Sequence, residues 1–202
     1  MPLPRLLLTG FGPFPGAPRN PTAEVVARLA EARRLGVEIV GHVFATTWAA
    51  LDELPALLTA TRPDLVLHLG LKRRARAITV EAWARNRVLR AAVDAAGVAP
   101  ASTMLAADGP PRLVATLPVR CMAARIAGLG LPTEISDDAG RYLCNGLFYR
   151  SLARRDRPTG FLHLPPTRGL AGPASDLFTV DDLVRATAAA IGAISVGPTS
   201  QP

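Results

Sequence analysis

Short apolar runs alternate with longer amphipathic ones along the chain. The short runs predict strands at Arg5–Thr9, Val37–Ala45 (interrupted by His42), Leu65–Leu69, Ile78–Val88, Thr133–Ser136 and Gly160–Leu164. The longer ones predict helices. Asn20-Pro21-Thr22 reads as a helix start, and Val25, Val26, Leu29 and Ala30 recur behind it at helical spacing. Thr47 is placed to cap a helix from about Trp48 to Thr61, with Leu51, Leu54, Leu57 and Leu58 on one face. Further helices are expected at Val119–Ala127, from about Ala139–Gly140 to Arg154, and from a Thr179 cap to about Ile191. Residues 94–118, rich in Ala, Gly, Pro and Asp, read as a long irregular loop.

Leu65-Val66-Leu67-His68-Leu69 is nearly continuous in its hydrophobicity, as suits a strand of a parallel sheet covered on both faces. With strands and helices alternating, the expected fold class is α/β: a three-layer α/β/α sandwich around a mostly parallel twisted sheet. A chain of 202 residues fits a single domain, residues 1–202, with the tail frayed from about residue 194.

Composition narrows the function classes. The net charge of +7 is carried by arginine, since Lys72 is the only lysine. The arginines are scattered, and the densest run is Lys72-Arg73-Arg74-Ala75-Arg76. No aromatic interleaving accompanies it, so no nucleic-acid partner is expected. Cys121 and Cys144 form no C-x-x-C pair, so neither a zinc site nor a disulfide framework is expected. The opening MPLPRLLLTGFG holds an apolar run too short for a signal-peptide core or a membrane span. A cytoplasmic protein with reduced thiols and no membrane association is the expectation.

Four features are candidates for chemistry. The Gly-rich stretch Thr9–Gly16 follows a strand but fails the dinucleotide fingerprint. Its third glycine comes one position late, and Pro13 and Pro15 interrupt the entry to a helix. Phe11 and Phe14, in a chain poor in aromatics, are placed either to wall an apolar pocket at the sheet edge or to pack the turn. Of the three histidines, His42 and His68 sit inside apolar strands and read as core residues, whereas His163 ends a strand before a proline turn. Glu81 lies among apolar residues, so it either faces solvent or is buried beside a partner such as a histidine. Cys144 falls in the first turns of a predicted helix, where the macrodipole favours a thiolate. Free cysteine is also among the most buried residue types, so this residue alone leaves core thiol and nucleophile both open.

Several segments in order decide more than any one of them. LLLTGFGPFPG followed by NPT, then ITVEAWARN, SDDAGRYLCN and GFLHLP together resemble the pyroglutamyl peptidase I family of cysteine peptidases. The resemblance implies removal of an N-terminal pyroglutamate from peptides, with no metal or other cofactor, by a cytosolic and often tetrameric enzyme of α/β/α fold. It implies a triad of Glu81, Cys144 and His163: nucleophile Cys144, base His163, and Glu81 orienting the imidazole. It further implies a lactam pocket lined by Phe11, Phe14, Leu71, Tyr142 and Leu143. Backbone N–H groups near Cys144 are placed to supply part of an oxyanion hole. The chain departs from the family pattern at Gly12, where an acidic residue is usual, and at Pro15. It departs again at Gly70-Leu71-Lys72-Arg73-Arg74-Ala75, where Leu71 replaces a glutamine and two arginines replace glycines. Two alternatives follow from these departures: the same triad acting on another small amide or lactam-capped substrate, or a non-catalytic basic binding protein on this fold.

Overall fold

The computed structural model describes residues 2–32, 35–168 and 177–195. Its elements in chain order are β1 (Arg5–Phe11), α1 (Pro21–Ala30), β2 (Glu38–Phe44), α2 (Leu54–Thr61), β3 (Leu65–Leu71), β4 (Ile78–Glu81), β5 (Trp83–Arg85), β6 (Arg112–Val114), α3 (Val119–Ala127), β7 (Thr133–Ser136), α4 (Leu143–Ala153), β8 (Thr159–Leu164) and α5 (Val180–Ser195). Six strands form one sheet in the order β2-β1-β3-β8-β4-β7. The β2, β1, β3 and β8 strands are parallel to one another. The β4 strand runs antiparallel to β8 and parallel to β7.

The three expected layers are present. One sheet face is aliphatic: Leu6, Leu8, Leu67, Leu69, Leu162 and Leu164 pack against Val25 of α1, Met122 and Ile126 of α3, and Leu183 of α5. The other face meets α2 and α4, with Leu7 and Val66 against Leu54, Leu58 and Leu147, and Phe161 against Phe148. Because strand side chains alternate, each strand feeds both layers.

The helix starts follow the polar signals. Asn20 Oδ1 accepts the Thr22 N–H (3.1 Å), with Pro21 in the first turn. Thr179 and Asp182 cap α5 reciprocally: Asp182 N–H donates to Thr179 Oγ1 (3.1 Å), and Thr179 N–H to Asp182 Oδ2 (3.0 Å). The α5 helix continues to Ser195, and the expected frayed tail beyond it lies outside the described residues.

Four expectations need correction. Ile78–Val88 is not one strand. It breaks at Ala82, and its second half pairs with β6 in a separate two-stranded sheet. The 94–118 segment contains β6, and its remainder is fixed by buried side chains. Asn86 donates to Ala106 O (2.7 Å) and Gly109 O (3.0 Å) while accepting the Leu105 and Ala106 N–H groups. Asp94 accepts the N–H groups of Trp48, Ala96 and Val98. Burial opposes its charge, but those three donors hold the carboxyl below the usual carboxylate range. The helix expected from Trp48 opens as a 3-10 turn over Ala49–Glu53, with Thr47 Oγ1 accepting the Ala50 N–H (3.3 Å). His42 is not a core residue: β2 is an edge strand, and the imidazole is half-buried 3.7 Å from Glu53.

Candidate active site

The α4 helix begins at Leu143, three residues later than Gly140 suggested. Gly140 has a positive φ of +82°, and its N–H is held by Asp138 Oδ1 (3.1 Å), so the chain turns there before the helix starts. Cys144 is therefore the second helical residue. The Tyr142 side chain makes no capping bond to the helix. The first-turn N–H groups around Cys144 thus carry no side-chain acceptor, the condition an oxyanion site requires.

Beneath the helix, β8 and β4 bring a histidine and a glutamate together. Their register sets His163 opposite Thr79 and Phe161 opposite Glu81, so His163 and Glu81 are diagonal neighbours on one face. Glu81 is fully buried, and His163 is 5% exposed. His163 Nδ1 lies 2.7 Å from Glu81 Oε1. A carboxylate can only accept, so Nδ1 carries the proton. The other ring nitrogen is then left for Cys144, the second group that acts on the imidazole. Glu81 Oε2 is buried with no hydrogen-bond partner among the described residues.

Two buried imidazoles on this face show what those neighbours do. His68 hydrogen-bonds through Nδ1 to Thr9 Oγ1 (2.7 Å) and has no charged partner among the described residues, and burial pulls its pKa down to about 3. Burial acts on His163 in the same direction. Hydrogen bonds to Cys144 and Glu81, and the charges of both, outweigh it and push the pKa up to about 9. His163 therefore holds its proton at neutral pH, and His68 does not.

Cys144 opens onto a cavity of about 200 Å³ at the carboxyl ends of β1 and β3. Phe11, Phe14, Leu71, Tyr142 and Leu143, the five residues expected to form a pocket, all line it. So do Asn20, Thr46 and Arg73, which carry most of its polar groups. The turn behind Phe11 is held rigidly. Asn20 Nδ2 (3.1 Å) and Thr46 Oγ1 (2.9 Å) both donate to Gly12 O, and Thr22 Oγ1 accepts the Phe11 N–H (3.0 Å). The Tyr142 wall is fixed from the loop side: its hydroxyl donates to Val93 O (3.1 Å), and Trp48 packs edge-on against its ring.

Two supporting residues escaped the sequence reading. A Cβ on Gly70 would lie 2.7 Å from Cys144 Sγ and 2.8 Å from the Phe161 ring, so only glycine lets the thiol approach the sheet. Asn145 is fully buried; its Oδ1 accepts the Arg85 N–H (2.7 Å), and its amide donates to Arg85 O and Arg87 O. It ties the first turn of α4 to the strand that continues from Glu81. The ARN and LCN runs held the signal, as an apolar-flanked asparagine directly after the cysteine.

Comparison with known proteins supplies the family. The pyroglutamyl peptidase family profile matches residues 4–196. The chain belongs to the pyroglutamyl peptidase family. It is accordingly a cysteine-type peptidase. It is 34% identical to a pyrrolidone-carboxylate peptidase of Cupriavidus taiwanensis, across 94% of this chain and 92% of that one. The identity to an Oceanobacillus iheyensis pyrrolidone-carboxylate peptidase is also 34%, across 94% and 98%. Among solved structures, pyroglutamyl peptidase I of Bacillus amyloliquefaciens superposes with a TM-score of 0.89 at 28% identity, covering 97% of this chain and 96% of that one. The pyrrolidone carboxyl peptidase of Thermococcus litoralis gives 0.86 at 28% identity, across 95% and 93%. Membership in a peptidase family sets aside the non-catalytic alternative. No described helix is long and apolar enough to cross a membrane.

Proposed function

We propose that this chain hydrolyses the amide bond after an N-terminal pyroglutamate, using Cys144 as nucleophile, His163 as general base and acid, and Glu81 as the group that orients and charges the imidazole. The observation that carries this reading is the buried Glu81–His163 pair (2.7 Å) set behind a cysteine that opens onto a small aromatic-walled cavity. The chemistry runs in two halves. Sγ, a thiolate beside protonated His163, attacks the amide carbonyl carbon, forming a C–S bond while the carbonyl electrons move to oxygen. The first-turn N–H groups of α4 receive that oxyanion. Imidazolium His163 then protonates the departing amine as the C–N bond breaks, leaving a thioester. Neutral His163 takes a proton from water, the water oxygen adds to the thioester carbonyl, and the C–S bond breaks, releasing pyroglutamate and restoring the Cys144 thiolate beside protonated His163. Glu81 holds the Nδ1–H throughout.

The flat neutral lactam suits walls of Phe11, Phe14 and Tyr142 with a few polar groups among them. The names of the C. taiwanensis and O. iheyensis relatives support the same substrate class. Leu71 in the pocket wall favours a second reading, in which the same triad accepts a lactam or cyclic amide less polar than pyroglutamate. A free thiol nucleophile suits the reducing cytoplasm, and both cysteines are unpaired among the described residues. Exposed Leu89, Val93, Val98 and Met104, all in the segment beside Tyr142, support a homo-oligomer.

The test is release of a coumarin from its pyroglutamyl amide. Wild type is expected to turn it over, and Cys144→Ser to lose about 10⁴-fold or more in kcat/KM while remaining folded. No turnover by folded wild type contradicts the reading. Turnover confined to the coumarin amide of a less polar, N-methylated lactam analogue favours the second one.

A further inference from the structure

Arg73 is an arginine with no counter-ion among the described residues, at the mouth of the pocket onto which Cys144 opens. It lines the cavity that Cys144 opens onto, and its side chain is exposed to solvent. Its position is defined: Nη1 lies where a Cβ on Gly16 would come within 2.9 Å, against a turn whose Gly16 has φ of +89°. Among the described residues it makes no hydrogen bond and has no carboxylate within 4 Å. Of the cations beside it in the chain, Arg74 and Arg76 likewise have no partner among the described residues, whereas Lys72 does. Lys72 lies 3.9 Å from Glu134, and Arg85 lies 3.1 Å from Asp138. The buried carboxylate on the loop beside Tyr142, Asp94, is occupied by three backbone N–H groups. Two more exposed arginines without a partner among the described residues, Arg19 and Arg141, directly precede the lining residues Asn20 and Tyr142. The pocket entrance therefore carries positive charge that the described residues do not neutralise.

We propose that Arg73 binds a carboxylate of the substrate beyond the pyroglutamyl ring, which makes the enzyme selective for acidic peptides. The inference rests on the pyroglutamyl reading above. The ring is neutral and has no charge to offer a guanidinium, and Arg73 stands at the open end of the cavity, where the leaving peptide emerges. A planar guanidinium matches a carboxylate through paired N–H donors. A positive rim also speeds the encounter with an anionic peptide. The carboxylate has two sources, an acidic side chain in the leaving peptide or the free C-terminus of a short one.

The experiment compares kcat/KM for pyroglutamyl-Glu-NH2, pyroglutamyl-Ala with a free carboxylate, neutral pyroglutamyl-Ala-NH2 and pyroglutamyl-Lys-NH2. Wild type is expected to favour at least one carboxylate peptide over the neutral one about fivefold or more, mainly through KM, with the gap shrinking at high salt. Preference for the Glu amide alone assigns the side chain, and preference for the free acid alone assigns the C-terminus. Arg73→Gln closes the gap, and Arg73→Glu turns it toward the Lys peptide. Equal kcat/KM within twofold across the set, or a gap that persists in Arg73→Gln, overturns the proposal. Calorimetric binding of the same peptides to Cys144→Ala reads the preference without turnover. If no pyroglutamyl peptide is hydrolysed, the function proposed above fails, and this binding series still decides the role of Arg73. Binding without preference, or no binding, goes against it.

Discussion

Leu162 and His163 are neighbours on β8, yet they belong to different layers. Leu162 is fully buried among the aliphatic side chains under α1, α3 and α5. His163 faces α4 with Thr9, His68, Thr79 and Glu81, all buried polar groups on the same sheet face. One face holds only groups that gain by leaving water. The other buries polar groups that must be matched one by one, and most are: Thr9 with His68, Thr79 with Glu134, Glu81 with His163. Both faces are packed with apolar side chains, but only one of them carries the chemistry. The chemical face also gives up packing volume at Gly70, where any Cβ would displace the thiol.

Substitutions on the two faces should therefore fail in different ways. Glu81→Gln keeps the size of the side chain but removes the charge and the fixed Nδ1–H of His163. It is expected to lower kcat/KM on the order of 10³-fold. A loss below tenfold in steady-state kinetics breaks the division. Leu162→Ala should do the reverse. It costs about 2–5 kcal/mol in urea unfolding, as large-to-small core changes do, and leaves kcat/KM within about threefold well below the melting point. A large loss of kcat/KM in the folded variant joins the two faces into one unit.

The smallest effect is on pH dependence. Folded His163 keeps its proton up to about pH 9, whereas an unfolded imidazole releases it near 6.5. Its contribution to stability is fully present below about pH 6.5 and is lost as the pH rises through about 9. The melting temperature of wild type should thus fall more between pH 6.5 and 9.5 than that of His163→Gln. Parallel curves would show that the pair does not hold its proton.

The sequence pattern located most of this architecture, for identifiable reasons. Strands such as Leu65–Leu71 and Thr159–Leu164 are buried on both faces and read as apolar runs. Asn20 and Thr179 act through local hydrogen bonds, so their signals are local too. Glu81, Cys144 and His163 were each ambiguous alone. Only the family resemblance linked them, because their meeting depends on the β4–β8 register and on the start of α4. What remained hidden depends on distant partners. The β6 strand exists only by pairing with β5. Residues 94–110 are ordered by Asp94 and Asn86 rather than by their own propensities. The start of α4 was displaced by the positive φ of Gly140. His42 was misplaced because an edge strand and a central one share the same local pattern.

The central claim is that His163, charged and held by Glu81, activates Cys144. Alkylation by iodoacetamide at pH 6, read by peptide mass mapping, tests it directly, because Cys121 is an exposed internal reference. Only the thiolate reacts, so Cys144 is expected to label at least tenfold faster than Cys121, despite being less exposed, and to lose that advantage in His163→Gln. Labelling of Cys121 as fast as Cys144, or an advantage that survives His163→Gln, would contradict the account.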